Sequence, residues 1–256
     1  MKKDEVRGKM VHNIRVVLAA LVMVGLASAA WSQQQDIPKY TQLPDMELGC
    51  DLQSQWDLLD GEPNVIRADN WQCLDGLAVT DIHWWGSYLF NTKELGSVPE
   101  FDIRIYANDS STNLPGTLLY REVFDLAEVN EQFYDTDAKG EDVYEYKVYL
   151  ETPFEQTEGE TYWLDIIAVT PDQARWPMWG WHTAIQTQVE AALRHSAQTT
   201  LDRDAQDDPT WGGKPANPWQ HAEYDMAFEL TTIPEPSLIS LFGLGLFAAW
   251  RRFRRR

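Results

Sequence analysis

The chain has 256 residues, with 21 basic and 40 acidic side chains and a net charge of −19. That balance argues against nucleic acid and anionic lipid surfaces as partners, because like charge repels them. Two cysteines and twelve tryptophans complete an unusual composition: few crosslinks are available, and many large flat rings must be placed.

In chain order, the N-terminus carries Lys2, Lys3, Arg7, Lys9 and Arg15, followed by an apolar run from Val16 to Leu26 and the small residues Ala27-Ser28-Ala29. This is the plan of a secretory signal peptide over residues 1–30, with cleavage expected after Ala29 or Ala30. An uncleaved N-terminal anchor is the alternative. Residues 31–60 are polar, hold Pro38 and Pro44, show no sustained period and read as an irregular segment.

From residue 61 to 231 the chain reads as strands and turns. Strands are expected from Val65-Ile66, over Val79–Leu89 and over Phe101–Ala107. In the last of these Phe101, Ile103 and Ile105 alternate with Asp102, Arg104 and Tyr106. Asn108–Gly116 is a turn cluster, and Thr117–Phe124 another strand. Residues 125–141 are acidic and loop-like. Val143–Leu150 alternates again, with Tyr144, Tyr146, Val148 and Leu150 on one face. Thr161–Val169 is apolar enough for burial on both faces. Pro177–His182 reads as a short strand, Thr183–Leu201 has helical composition, Asp202–Pro218 is an open loop, and Tyr224–Leu230 closes the body. About eight strands with little helix predict a mainly β fold, an antiparallel β-sandwich of jelly-roll type.

The last two dozen residues have three parts: Pro234-Glu235-Pro236, an uncharged run from Leu238 to Trp250, and Arg251-Arg252-Phe253-Arg254-Arg255-Arg256. The run is short for a membrane of about 30 Å, which takes about 20 apolar residues, and the arginines after it mark a cytoplasmic end. In this order, over residues 232–256, the parts resemble the PEP-CTERM sorting signal of exopolysaccharide-producing Gram-negative bacteria. The resemblance implies export, transient anchoring in the inner membrane, processing by signal peptidase and an exosortase, and delivery to the cell surface or extracellular matrix. A plain C-terminal tail anchor is the alternative. Taking away the five basic and two acidic side chains of residues 1–30, and the five basic and one acidic of residues 234–256, leaves a body of net −26.

Within the body, Lys39-Tyr40-Thr41-Gln42-Leu43-Pro44-Asp45, Ala68-Asp69-Asn70-Trp71-Gln72-Cys73, Val79-Thr80-Asp81-Ile82-His83-Trp84-Trp85-Gly86-Ser87, Tyr162-Trp163-Leu164-Asp165, Trp179-Gly180-Trp181 and Asp225-Met226-Ala227-Phe228 resemble a domain of unknown function. That domain occurs in exported bacterial proteins that often end in PEP-CTERM tails. The likeness implies a secreted β-sandwich and carries no activity. Thr183–Gln206 departs from it and looks like an insertion.

In an oxidising compartment Cys50 and Cys73 are expected to form one disulfide; two free buried thiols are the alternative. No nucleophile elbow, His-Glu-x-x-His or phosphate loop is present, so no catalytic residue is assigned and the chain reads as a non-enzyme. A secreted carbohydrate-active hydrolase is the runner-up. His83 and His182 each stand beside tryptophans and a metal between them is a weak option; structural histidines are favoured and no metal residue is assigned. Asp202, Asp204, Asp207 and Asp208 offer oxygen ligands to Ca²⁺ without EF-hand spacing, so no cofactor is assigned. Most tryptophans belong in a core, but Trp85, Trp179 and Trp181 are the candidates for stacking on a sugar ring of an exopolysaccharide.

Overall fold

A computed structural model describes residues 36–57, 64–170, 177–185, 192–196 and 220–233. The expected signal peptide, the loop Asp202–Pro218 with its four aspartates, and the tail from Pro234 onward lie outside the described residues. Contacts group residues 38–232 into one compact body.

In chain order the strands are β1 (Ile37–Gln42), β2 (Asp51–Gln53), β3 (Gln55–Asp57), β4 (Asn64–Gln72), β5 (Val79–Tyr88), β6 (Glu100–Asp109) and β7 (Leu114–Asp125). They continue with β8 (Asn130–Thr136), β9 (Asp142–Phe154), β10 (Thr161–Thr170), β11 (Trp179–His182), β12 (Ala192–Ser196), β13 (Gln220–His221) and β14 (Phe228–Thr232). A 3-10 segment, Leu89–Leu95, follows β5.

Two seven-stranded sheets result. In the first, β5 pairs antiparallel with β9 along one edge, while β14 and β11 share its other edge end to end, through Phe228 opposite Trp84 and Trp181 opposite Gly86. β1 and β2 flank β14 and β11, and β8 hangs on β9 with no further strand partner among the described residues. The second sheet runs β13-β12-β4-β3-β10-β6-β7, antiparallel except where β3 lies parallel to β10. The mainly β, antiparallel class expected from the sequence is the class observed. Jelly-roll connectivity is not established by this strand order.

Alternation decides which side chains meet between the sheets. Ile82, Trp84, Tyr146 and Val148 of the first sheet meet Phe101, Ile103, Ile105, Leu164 and Ile166 of the second in one buried cluster. The rings interlock: Trp84 stacks on Tyr146 at 5.4 Å, and Phe101 meets Trp84 and Trp179 edge-on, each at 5.2 Å. The outer face of the second sheet is buried as well, around Trp56, Ile66, Trp163 and Ile167. There Asp102 receives two guanidinium groups, with Arg104 Nη2 at 2.6 Å and Arg121 Nη2 at 3.0 Å. Burial alone would lift the Asp102 carboxyl, but these two cations hold it below the usual carboxylate range.

Three local expectations change. Residues 31–60 read as irregular, yet residues 37–57 supply β1, β2 and β3, the last two only three residues long and too short to show a period. The acidic stretch 125–141 contains β8, an edge strand whose side chains are nearly all exposed, so no apolar alternation marks it. In Thr183–Leu201, the described residues 192–196 form strand β12 on the edge of β4, where pairing overrides helical composition.

Two features of the interior give direct tests. The Asp69 carboxyl is fully buried; its Oδ2 accepts from the Met226 amide at 2.6 Å and Gln42 Nε2 at 3.1 Å, and its Oδ1 from the Asn70 amide. Burial, aided by the charge of Asp225 and only partly offset by these bonds, pushes it from 3.8 up to about 8. The folded state therefore holds a proton that the unfolded state releases near pH 4. The stability this gives is complete below about pH 4 and disappears as pH rises through 8. Asp69→Asn is expected to fold and to flatten the pH dependence of urea stability between pH 4 and 8, by up to about 1.4 kcal/mol per pH unit for one proton. An unchanged profile would mean that Asp69 is ionised in the fold. Gly86 faces the Trp179 indole so closely that a Cβ there would lie 2.4 Å from Cζ2 and 2.6 Å from the Gly180 carbonyl oxygen. Gly86→Ala is expected to cost about 2 kcal/mol or more in urea unfolding, since neither neighbour is a flexible side-chain end.

Candidate functional site

The three tryptophans expected to stack on sugar are buried. Trp179 and Trp181 do share one face of β11, but it is the inner face: both are fully enclosed, with their indole N–H groups donating to the Tyr146 hydroxyl and the Ala227 carbonyl. Trp85 does point away from Ile82 and Trp84, yet it is only 4% exposed. Met46, Val143, Ala184 and Ala227 cover it, and Tyr134 meets its edge at 5.9 Å. In this structure none of the three offers a ring face to a ligand. Cys50 and Cys73 are free thiols rather than a disulfide. Cys50 precedes β2 in the first sheet, its amide donating to Thr183 Oγ1; Cys73 follows β4 in the second, tied to the backbone of Gly159 and Glu160.

His83 and His182 each find an acid of their own. On the outer face of β5 and β9, His83 Nε2 donates to Asp81 Oδ2 and Nδ1 to Glu145 Oε1, both at 3.1 Å, and Lys147 Nζ lies 3.2 Å from the same Asp81 oxygen. Neither partner of the imidazole can donate a proton, so both ring nitrogens must. Burial opposes the imidazolium, but the bonds to Asp81 and Glu145 outweigh it and raise His83 to about 9. Asp81, which burial alone would lift, is taken down to about 2 by His83, Thr80 and the Lys147 charge.

The second histidine lies where two loops meet. Residues 43–50 leave the row of β1 and β2, and residues 137–141 join β8 to β9; the Ala138 amide donates to the Met46 carbonyl at 2.9 Å, and Lys139 Nζ donates to the Gly49 carbonyl. Beneath them His182 is fully buried, with Nδ1 donating to Asp51 Oδ1 at 2.9 Å and Nε2 to the Asp45 carbonyl at 3.2 Å. Burial works against its charge, but Asp51 and the Asp45 carbonyl raise its pKa above the ordinary value. Only glycine fits at 49, since a Cβ would stand 2.3 Å from the Asp45 carbonyl oxygen and 2.9 Å from His182 Nε2. Asp137 Oδ1 accepts from the amides of Lys139 and Glu141 at 2.9 and 2.8 Å. Glu141 faces Asp51, and burial together with the Asp51 charge raises its pKa. Asp51 Oδ2 and Asp137 Oδ2 are buried with no hydrogen-bond partner among the described residues.

Exposed rings occur elsewhere, at the end of the first sheet where β8, β9 and the 3-10 segment come together. Phe133 is 58% exposed and meets Tyr144 edge-on at 6.1 Å; Tyr144 in turn meets Tyr88 at 5.6 Å. Lys93 sits over the Tyr88 and Tyr144 rings, 4.5 and 4.2 Å from their centroids, and pairs with Glu131. Phe90, in the same 3-10 segment as Lys93, is 72% exposed and holds φ at 59°. That left-handed conformation is costly for a bulky residue with no glycine freedom. Sequence reading missed these rings because Phe133 lay in a stretch taken as loop. It missed the pairing of Asp51 with His182 because acids are abundant in this chain and only the fold brings these two together.

Among the described residues no helix is long and apolar enough to cross a membrane. Comparison with curated proteins and with solved structures finds no match. Two family models do match. The PEP-CTERM protein-sorting motif covers residues 232–256, the signal that exosortase processing reads, so the chain is an exported, exosortase-targeted protein. The other covers residues 38–231, the whole two-sheet body, and by that match the chain belongs to the family of the domain of unknown function DUF7901.

Proposed function

We propose that the chain is a non-catalytic protein of the cell surface or extracellular matrix, released there by exosortase cleavage, and that its body holds weakly to neutral polysaccharide. The observation that carries the reading is the sorting motif at residues 232–256 behind a compact acidic body. The non-catalytic part is supported by how the ionisable groups are used: His83, His182, Asp81 and Asp102 are each committed to partners inside the fold. Asp69 is fully enclosed.

Binding passes from the buried tryptophans to the exposed rings Phe133, which meets Tyr144 edge-on, and Phe90, in the 3-10 segment that Lys93 ties to Glu131. An aromatic face buries the apolar side of a sugar while its hydroxyls stay wet. A net charge of −19 over the chain disfavours anionic polymers, hence the neutral class. Two or three rings give weak affinity for one short chain, which many copies on a surface raise through avidity.

Exosortase cleavage is expected near Pro234-Glu235-Pro236, so intact mass of the protein from its native host should show a C-terminus there and no Leu238–Arg256. Recovery of the full tail in membranes would instead mean a permanent anchor. For the rings, Phe133→Ala is expected to lower retention on host exopolysaccharide several-fold, as a stacking contribution of about 0.5–1.5 kcal/mol requires, with little change in melting temperature. Phe90→Gly should weaken retention while stabilising the fold by about 1 kcal/mol, because the left-handed strain is released. Retention unchanged in both variants would remove the sugar-binding part of the proposal and leave the sorting part standing.

A further inference from the structure

Lys93 sets an ammonium group against two aromatic rings and a carboxylate. Its Nζ lies 4.5 Å from the Tyr88 ring centroid and 4.2 Å from that of Tyr144, and it pairs with Glu131 Oε2 at 2.5 Å. The walls are firmly held. Tyr88 is 3% exposed; its hydroxyl donates to Glu131 Oε1 at 2.6 Å and accepts from the Val98 amide, and its ring meets Tyr144 edge-on. The occupant is not so held. The Lys93 side chain is 32% exposed and ends a flexible four-carbon stem, so its head can turn to water with no backbone movement. Glu131 then keeps the Tyr88 donor but loses the one cation paired with it among the described residues. Two ring faces and a mostly enclosed carboxylate favour another cation there over a neutral group.

We propose that Tyr88, Tyr144 and Glu131 form a cage for a primary ammonium group, filled by Lys93 in the free protein and yielded to the free amine of an amino sugar whose ring rests on Phe133. Alternation puts Phe133 on the same face of β8 as Glu131, about 7 Å further along the strand, where it meets Tyr144 edge-on and is 58% exposed. Cage and ring face are therefore adjacent. A chain of net −19 draws a cationic amino-sugar polymer towards it, just as it repels an anionic one. Placing a sugar on Phe133 rests on the polysaccharide reading above; the preference for an ammonium rests on the cage by itself. Lys93 makes the exchange competitive, because a tethered head group acts at an effective concentration on the order of millimolar. One amino sugar thus binds the parent chain weakly, and a polymer with many free amines gains by avidity.

Three probes separate the parts, each titrated into the full chain in detergent at matched ionic strength and mildly acidic pH. Glucosamine hydrochloride carries ring and ammonium, N-acetylglucosamine the ring alone, and ethylammonium chloride the ammonium alone. Lys93→Ala vacates the cage and should bind glucosamine about tenfold more tightly than the parent chain does, with no such gain for N-acetylglucosamine. Adding Glu131→Gln to Lys93→Ala removes the charge while keeping an acceptor for Tyr88, and should abolish the gain. Adding Phe133→Ala to Lys93→Ala should bring glucosamine down to the affinity of ethylammonium. The parent chain gives a readout that depends on no variant: the Lys93 Hε resonances, displaced by the two rings, should move towards those of a solvated lysine as glucosamine is added. The proposal is overturned by equal gains for glucosamine and N-acetylglucosamine, by a gain that survives Glu131→Gln, or by Lys93 resonances that stay in place at saturating glucosamine. Ethylammonium binding Lys93→Ala as tightly as glucosamine overturns the amino-sugar assignment; retention of neutral polymer through Phe133 is measured separately and does not fall with it.

Discussion

Strand β5 is hydrogen-bonded along both edges and covered on both faces, and its neighbours are arranged around that enclosure. On its inner side Ile82 and Trp84 enter the space between the sheets, and Gly86 leaves the notch that the Trp179 indole fills. On its outer side Asp81 and His83 are buried or half-buried polar groups that cannot be left to water. A buried charge with no partner costs several kcal/mol, so each outward group recruits one from the adjoining strand, Glu145 and Lys147 from β9. Trp85, an apolar ring on the same outer side, is instead covered by a loop.

That loop explains why so much irregular chain is held in place. Residues 43–50 form no strand of their own, yet they are pinned at Gly49, at Asp45 through His182, and at Met46 through Ala138. The ties join segments far apart in sequence, from residue 45 to residue 182. The body is thus organised by a few long-range contacts over β5 as well as by its strand ladders, and its acidic composition is partly a structural requirement at these joints.

How much of this was legible depended on whether a feature is local. Period-2 alternation at Phe101–Ala107 and Val143–Leu150, and burial on both faces at Thr161–Val169, are properties of single strands and appear as β6, β9 and β10. The opposite facing of Trp84 and Trp85 was legible for the same reason. What covers the outer face was not, because alternation assigns a side and says nothing about a loop arriving from forty residues earlier. The same limit hid the pairing of His182 with Asp51. Three-residue strands such as β2 and β3 lie below the length at which any period can be read. The sorting tail is the opposite case: its order along the chain is its whole content, and it was legible without a fold.

The edge of β8, which has no further strand partner among the described residues, has a consequence for how two molecules of this chain meet. An unpaired strand edge is a template on which a neighbouring molecule can add its own strand. β8 is short, carries Glu131 and Asp135, and breaks its register with a bulge between Phe133 and Asp135. Two such edges brought together set like charges opposite one another and present backbones that do not match, which works against strand addition between molecules. Part of that protection is electrostatic and is screened within about 10 Å at 0.1 M salt; the bulge supplies the part that salt leaves intact.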